Sequence, residues 1–82
     1  MPRGELGPAE RLSDGELRVR IDGALGKLSE EHRLVIVLRE MQGLEYQEIA
    51  DQTGCSLGTV MSRLFYARKK LQVLLKDVYE SL

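Results

Sequence analysis

Four polar side chains that could recognise a nucleic-acid surface recur at helical spacing in the C-terminal third of the chain. Ser62, Tyr66 and Lys70 are each one helical turn apart, and Arg63 lies beside them. An arginine can form two hydrogen bonds with a guanine edge, whereas a tyrosine can contact a base, a thymine methyl group or a phosphate. A helix that places these residues in the major groove would bind DNA, although the same residues also suit an ordinary solvated helix face.

Residues typical of catalysis or metal binding are too isolated in this sequence to form a site. Cys55 is the only cysteine and His32 the only histidine, so neither belongs to a zinc-binding pattern. The sequence contains no evident nucleophile–base pair or phosphate-binding loop, and 82 residues form one small domain without a deep pocket. We therefore expect a protein that is not an enzyme and that uses no metal and no cofactor.

The charges are distributed unevenly along the chain, although the net charge is only −1. Residues 40–51 contain four acids and no base, whereas residues 52–76 contain five bases and no acid. The basic segment could face phosphates while the rest of the chain stays neutral or acidic. No apolar run approaches the ~20 residues of a membrane span and no signal peptide opens the chain. We therefore expect a cytoplasmic protein without membrane contact.

The elements that would position the polar residues are all predicted to be helices. Residues 1–12 contain both prolines and lack periodicity, which predicts a flexible linker or tail before a domain at residues 13–82. Ser13 and Glu16 have the spacing of a capping box at the start of a first helix. Ser29 followed by two glutamates predicts the start of a second helix. That helix would bury a broad apolar face formed by Leu34, Val35, Val37, Leu38 and Met41.

Two further helices are predicted after Gly43, a glycine suited to ending the second helix. The third is short and spans about residues 46–53, and the fourth begins near Leu57 and runs towards Tyr79. The fourth helix would bury a stripe of residues spaced three or four apart. These are Val60, Leu64, Ala67, Leu71, Leu74 or Leu75, and Val78.

The last two predicted helices match a helix-turn-helix. This motif needs a small residue where its helices cross, a tight turn and an apolar residue that packs the second helix on the first; Ala50, Gly54 and Val60 have that spacing. The fold expected is thus all-α: a four-helix domain with a C-terminal helix-turn-helix and a long recognition helix.

Phosphates of the DNA would contact the start of the fourth helix near Gly58 and Thr59. The basic residues Arg68, Lys69 and Lys70 would add attraction to phosphates, and Phe65 is expected at the edge of the core.

Three groups of residues together resemble a known family. They are Leu28-Ser29, Arg33 and Arg39-Glu40; Gly43-Leu44, Tyr46 and Glu48-Ile49-Ala50; and Gly58-Thr59-Val60, Ser62-Arg63-Leu64, Ala67-Arg68 and Leu71. In combination they resemble region four of bacterial RNA polymerase sigma factors, and most closely the extracytoplasmic-function class. Each fragment alone is weak evidence, whereas the last group following Glu48-Ile49-Ala50 is specific.

The resemblance implies binding to the −35 promoter element through the recognition helix. It also implies that the first two helices hold the β flap of the RNA polymerase core, and that an anti-sigma factor is a candidate partner. Carried onto this sequence, the promoter contacts are Thr59, Met61, Ser62, Arg63, Phe65 and Tyr66.

This sequence departs from the family pattern at two of these positions. Many members of the family have a basic residue where Met61 stands, and often arginine or histidine at Tyr66. Region two, which recognises the −10 element, has no counterpart, so we expect a monomeric domain of a longer sigma factor.

Two alternatives remain open at the level of sequence. The DNA-binding domain of LuxR-type regulators has a similar four-helix layout, but it usually has a histidine-containing run where this chain has Val60-Met61-Ser62-Arg63. A helical protein-interaction module would suit the negative net charge and the apolar second helix. Steep weakening of binding by salt would separate a DNA-binding domain from a purely protein-binding one.

Overall fold

The computed structural model describes residues 12–80, all of whose regular elements are helical. The helices are α1 (Asp14–Gly26), α2 (Glu30–Ile36), α3 (Tyr46–Thr53), α4 (Leu57–Leu74) and α5 (Lys76–Glu80). A single π-helical turn, Val37–Met41, extends α2. The prediction of an all-α fold is confirmed, and the predicted linker at residues 1–12 lies almost wholly outside the described residues.

The helix starts follow from local capping, as predicted. The Ser13 hydroxyl accepts a hydrogen bond from the Glu16 amide, while the Glu16 carboxylate accepts one from the Ser13 amide, which completes a capping box. These hydrogen bonds hold the pKa of Glu16 below its ordinary value. The Ser29 hydroxyl accepts from the His32 amide in the same way at the start of α2. Both predicted N-caps are therefore confirmed.

The second helix ends in a wider turn than its sequence pattern suggests. The Gln42 amide donates to the carbonyl of Val37, and Gly43 adopts a left-handed conformation with φ +70°. A π turn contains an extra residue, which rotates the side chains after it starts, Met41 among them, about the axis; Leu34 precedes this turn. Val35 and Leu38 are buried as predicted, whereas Leu34 and Met41 are about half exposed, at 47% and 58%. The prediction that those two residues belong to the buried face is wrong.

The main core lies where α4 crosses α2 and α3. Its largest fully buried side chains are Val35, Ile49, Val60 and Leu64. Val60, Leu64 and Ala67 form the inward stripe that the spacing on α4 predicts. This packing fixes the rotation of α4 about its axis and therefore determines which of its residues face solvent.

The C-terminal helix is shorter than predicted because the backbone departs from helical geometry at Leu75, where φ is −110° and ψ is +23°. Residues 76–80 form a separate helix, so the described chain has five helices instead of four. The departure buries Leu75 and Val78 against Ala24 of α1 in a second, smaller core. Arg20 of α1 donates hydrogen bonds to both carboxylate oxygens of Asp77 beside this core.

Candidate nucleic-acid interface

Helices α3 and α4 form the predicted helix-turn-helix. Gly54 ends α3 in a left-handed conformation, with φ +70° and ψ +23°, and the Cys55 amide donates to the carbonyl of Ala50. The Ser56 hydroxyl then caps α4 by accepting a hydrogen bond of 3.1 Å from the Thr59 amide. Glycine adopts this left-handed geometry without the steric penalty that a Cβ atom brings. The sharp turn thus lets α4 start directly beside the end of α3.

The side of α4 that faces away from the core is a continuous exposed surface, here called the open face. Its residues recur at helical spacing from the first turn of α4 to the fourth. All are exposed: Gly58, Met61, Ser62, Phe65, Tyr66, Lys69 and Lys70. The structure thus brings together seven of the nine residues that the sequence proposed for DNA binding.

The remaining two predicted residues, Thr59 and Arg63, lie half buried along one edge of the open face. The Thr59 hydroxyl accepts a hydrogen bond of 3.0 Å from Ser56. The Arg63 guanidinium donates to the sulfur of Cys55, with its NH1 nitrogen at 3.2 Å. Arg63 therefore contacts the turn through Cys55, and its guanidinium would have to leave the Cys55 sulfur to contact a base directly.

Phe65 does not lie at the edge of the core, as its apolar character suggested. Its side chain is 55% exposed, because it follows the buried Leu64 by one position and so lies outside the buried stripe of α4. The ring meets that of Tyr66 edge to face, with 5.1 Å between the centroids. The Lys69 ammonium lies 5.3 Å from the centroid of the Phe65 ring. Two aromatic rings and a cation therefore form the middle of the open face.

Arg68 differs from the neighbouring lysines because it has a carboxylate partner. Its NH2 nitrogen donates to the Glu40 carboxylate at 2.6 Å, which ties α4 to the π turn. Hydrogen bonds to Glu40 and then to Tyr46 raise the pKa of Arg68 above its ordinary value. No described carboxylate lies within ion-pair distance of Lys69 or Lys70. The expected attraction of phosphates therefore falls mainly to these two lysines.

Sequence reasoning missed a shallow groove beside the open face. Tyr46, Met61, Phe65, Arg68 and Lys69 contribute to its lining. The Arg39 guanidinium covers the Tyr46 ring at 4.8 Å from the centroid. The recurrence of Met61 and Phe65 four residues apart, starting from the exposed Leu57, is the sequence signal that could have revealed an apolar strip here.

The described part of the chain contains no group of three or more His, Cys, Asp or Glu side chains that could hold a metal ion. Among its helices, none has both the length and the apolar character needed to cross a membrane.

Comparison with known proteins points to a single family. The family described as "Sigma-70, region 4" matches residues 18–71, which include α4 as far as Leu71. The chain is 41% identical over 64 residues to the ECF RNA polymerase sigma-E factor of Escherichia coli K12, a match that covers 78% of this chain and 34% of that protein. It is 36% identical over 74 residues to the RNA polymerase sigma-H factor of Pseudomonas aeruginosa, with coverages of 85% and 38%.

These matches agree with the resemblance found in the sequence and not with the LuxR-type alternative. The chain spans about a third of the length of the relatives that it matches. Because the family match covers most of the chain, including α3 and α4 as far as Leu71, this chain belongs to the sigma-70 region 4 family.

Proposed function

We propose that this chain binds the −35 element of bacterial promoters, as part of a sigma factor that directs RNA polymerase to those promoters. The open face of α4 is the observation that supports this most strongly. It presents Ser62, Tyr66 and two lysines on a helix whose opposite side is locked into the core. A rigid helix with its polar and aromatic side chains already exposed suits insertion into the major groove.

The electrostatics of α4 favour nucleic acid over a protein partner at this face. Residues 57–74 contain four bases and no acid, although the chain as a whole has a net charge of −1. Lys69 and Lys70 can contact phosphates on the rims of the groove, and the start of α4 adds the positive end of the helix dipole. The acids that precede α4 most closely in the sequence, Glu45, Glu48 and Asp51, are exposed on α3 and at its start.

Protein partners would use other surfaces of the domain. Leu34 on α2 and Met41 on the π turn are about half exposed, and both lie outside the open face. Met41 also lines a shallow groove with Leu17 and Ile21 of α1. An apolar surface of this kind supports docking of the RNA polymerase core, through its β flap, on the first helices. An anti-sigma factor is a further candidate partner, and a cytoplasmic location follows from the proposed role.

The isolated domain should bind DNA weakly. Each specific base contact contributes ~1–3 kcal/mol, and the open face offers few such contacts. Attachment to RNA polymerase would raise the effective concentration of the domain at a promoter, so stable occupancy of a promoter in the cell would depend on that tether. Residues 13–82 would then act as the −35-binding domain of a longer sigma factor, joined to the rest through residues 1–12.

The proposal is tested by NMR titration of the isotope-labelled chain. Duplexes are first selected from a randomised pool by binding to the chain, and a scrambled duplex of equal length serves as the control. Saturable shift changes at residues 58–70 with the selected duplex, and weaker ones with the scrambled duplex, would support the proposal. Shift changes confined to α1 and α2, or equal for both duplexes, would contradict it.

A further inference from the structure

The open face contains large apolar side chains, although a DNA-binding helix is expected to expose mainly polar ones. Met61 is 49% exposed and Phe65 is 55% exposed, and the two lie one helical turn apart. The next residue, Tyr66, is 57% exposed and supports the Phe65 ring edge to face. These side chains form one apolar strip on the open face, along the groove that Tyr46 and Arg68 also line.

An apolar side chain in the major groove has one kind of favourable partner. Base edges there present hydrogen-bond donors and acceptors, except for the 5-methyl group of thymine. Placing Met61 or Phe65 against a guanine or cytosine edge would remove water from polar groups without replacing their hydrogen bonds, which is unfavourable. Placing them against thymine methyl groups would bury apolar surface on both sides.

The charges around the strip favour DNA as its occupant over an apolar protein segment. The Lys69 ammonium lies over the Phe65 ring, and Lys70 follows it on α4. A phosphate on the rim of the groove would satisfy these cations while the bases meet the apolar strip. An apolar helix from a protein partner would instead leave the two ammonium groups close to an apolar surface.

We propose that Met61 and Phe65 recognise thymine 5-methyl groups, so that the DNA element bound by this chain contains thymine at the bases facing these residues. This inference rests on the proposed DNA binding. It adds the identity of the bases that Met61 and Phe65 would recognise.

The test replaces thymine with uracil, which removes the methyl group and leaves the hydrogen bonds of the base pair intact. The full 82-residue chain first selects a duplex from a randomised pool, and its Kd for that duplex is measured by fluorescence anisotropy. Each thymine is then changed to uracil in turn. We expect replacement of each contacted thymine by uracil to raise Kd about fourfold, because the complex then no longer buries one methyl group.

Variants connect the methyl groups to the two side chains. In the double variant Met61→Ala and Phe65→Ala, the uracil substitutions should lose most of their effect on Kd. Val73→Ala is the matched control: Val73 is an apolar residue of the same helix, 76% exposed, but it lies three turns beyond Met61. It should respond to uracil as the unaltered chain does.

The outcomes separate this inference from the proposed function. Equal Kd values for thymine and uracil duplexes, with the preference over a scrambled duplex retained, would overturn the recognition of methyl groups and leave promoter binding intact. Failure of the chain to select any sequence would overturn both. The uracil arm leaves the protein unaltered, so a folding defect in a variant cannot account for its result.

Discussion

The NH1 nitrogen of Arg63 lies 3.2 Å from the sulfur of Cys55, so a side chain of α4 is held by the turn that precedes this helix. Both residues are half buried. A thiol is a weak hydrogen-bond acceptor, so the contact can orient Arg63 in the free protein and still be exchanged for a stronger acceptor on DNA.

Arg63→Ala should therefore affect DNA binding more than folding. We expect a loss of roughly tenfold or more in affinity for the selected duplex, as for one arginine–base contact, and a change in the free energy of unfolding of less than about 1 kcal/mol. Anisotropy and urea denaturation measure the two effects. Cys55→Ala is the matched control, since it removes the acceptor and keeps the guanidinium. A large loss of stability with unaltered affinity for Arg63→Ala would assign this residue to the fold alone.

The ion pair between Arg68 and Glu40 distinguishes Arg68 from Lys70 in their contribution to phosphate binding. Lys70→Ala should reduce the slope of log K against log salt concentration by about 1, the value for one lost phosphate contact. Arg68→Ala should change the slope less, because Glu40 already balances its charge at 2.6 Å. Anisotropy over a series of salt concentrations measures both slopes. An equal reduction for the two variants would show that Arg68 leaves Glu40 when DNA binds.

Two glycines near the turn should respond differently to replacement by alanine. Gly54 has φ +70°, so Gly54→Ala should lower the free energy of unfolding by about 1–2 kcal/mol through backbone strain alone. Gly58 is in the first turn of α4, where an added Cβ would meet only the Ser56 hydroxyl at an ordinary contact distance of 3.9 Å, so Gly58→Ala should preserve stability or raise it by up to about 1 kcal/mol. Chemical denaturation measures both changes.

Gly58→Ala also tests how closely DNA approaches the start of α4. If a phosphate lies against the Gly58 backbone, the added methyl group should weaken DNA binding in a protein that is no less stable. Unaltered affinity would show that Gly58 is not in contact with DNA. Gly23→Ala on α1, where an added Cβ meets nothing within 4 Å, controls for a general effect of alanine in a helix.

The packing of α5 on α1 should make stability depend on pH in the acidic range. Hydrogen bonds from Arg20 hold the pKa of Asp77 below its ordinary value. Because the folded-state pKa is the lower one, the stabilisation is complete above about pH 4 and is lost as pH falls through the folded-state pKa. Urea denaturation at a series of pH values from roughly 6 down to roughly 2 measures this dependence. As the pH falls, Asp77→Asn should lose less stability than the unaltered chain. The same loss in this variant as in the unaltered chain would contradict the role of the ion pair, and Asp22→Asn on α1 serves as the control.

Local features of the fold were predictable because their causes lie within a few residues. The hydroxyls of Ser13 and Ser29 cap the next turn, and Gly54 follows the last residue of a short helix. The buried stripe of α4 follows from the period of its apolar residues. These signals located the helix-turn-helix and most of its DNA-binding candidates.

Features that depend on contacts between distant residues were not predictable. The exposure of Phe65 depends on how α4 is rotated against α2 and α3, which the period of the stripe fixes only coarsely. The Arg68–Glu40 pair joins residues 28 positions apart. The break at Leu75 has no glycine or proline to mark it in the sequence, and it accompanies packing of Leu75 on Ala24 of α1.

The most direct test of DNA recognition by the open face is a change of specificity at one position. The unaltered chain and Met61→Arg each select duplexes from the same randomised pool. An arginine prefers a guanine edge, so Met61→Arg should enrich guanine at one position where the unaltered chain enriches another base, with the flanking positions unaffected. If both chains enrich the same sequence, or if neither enriches any, the open face of α4 is not the surface that recognises promoter DNA.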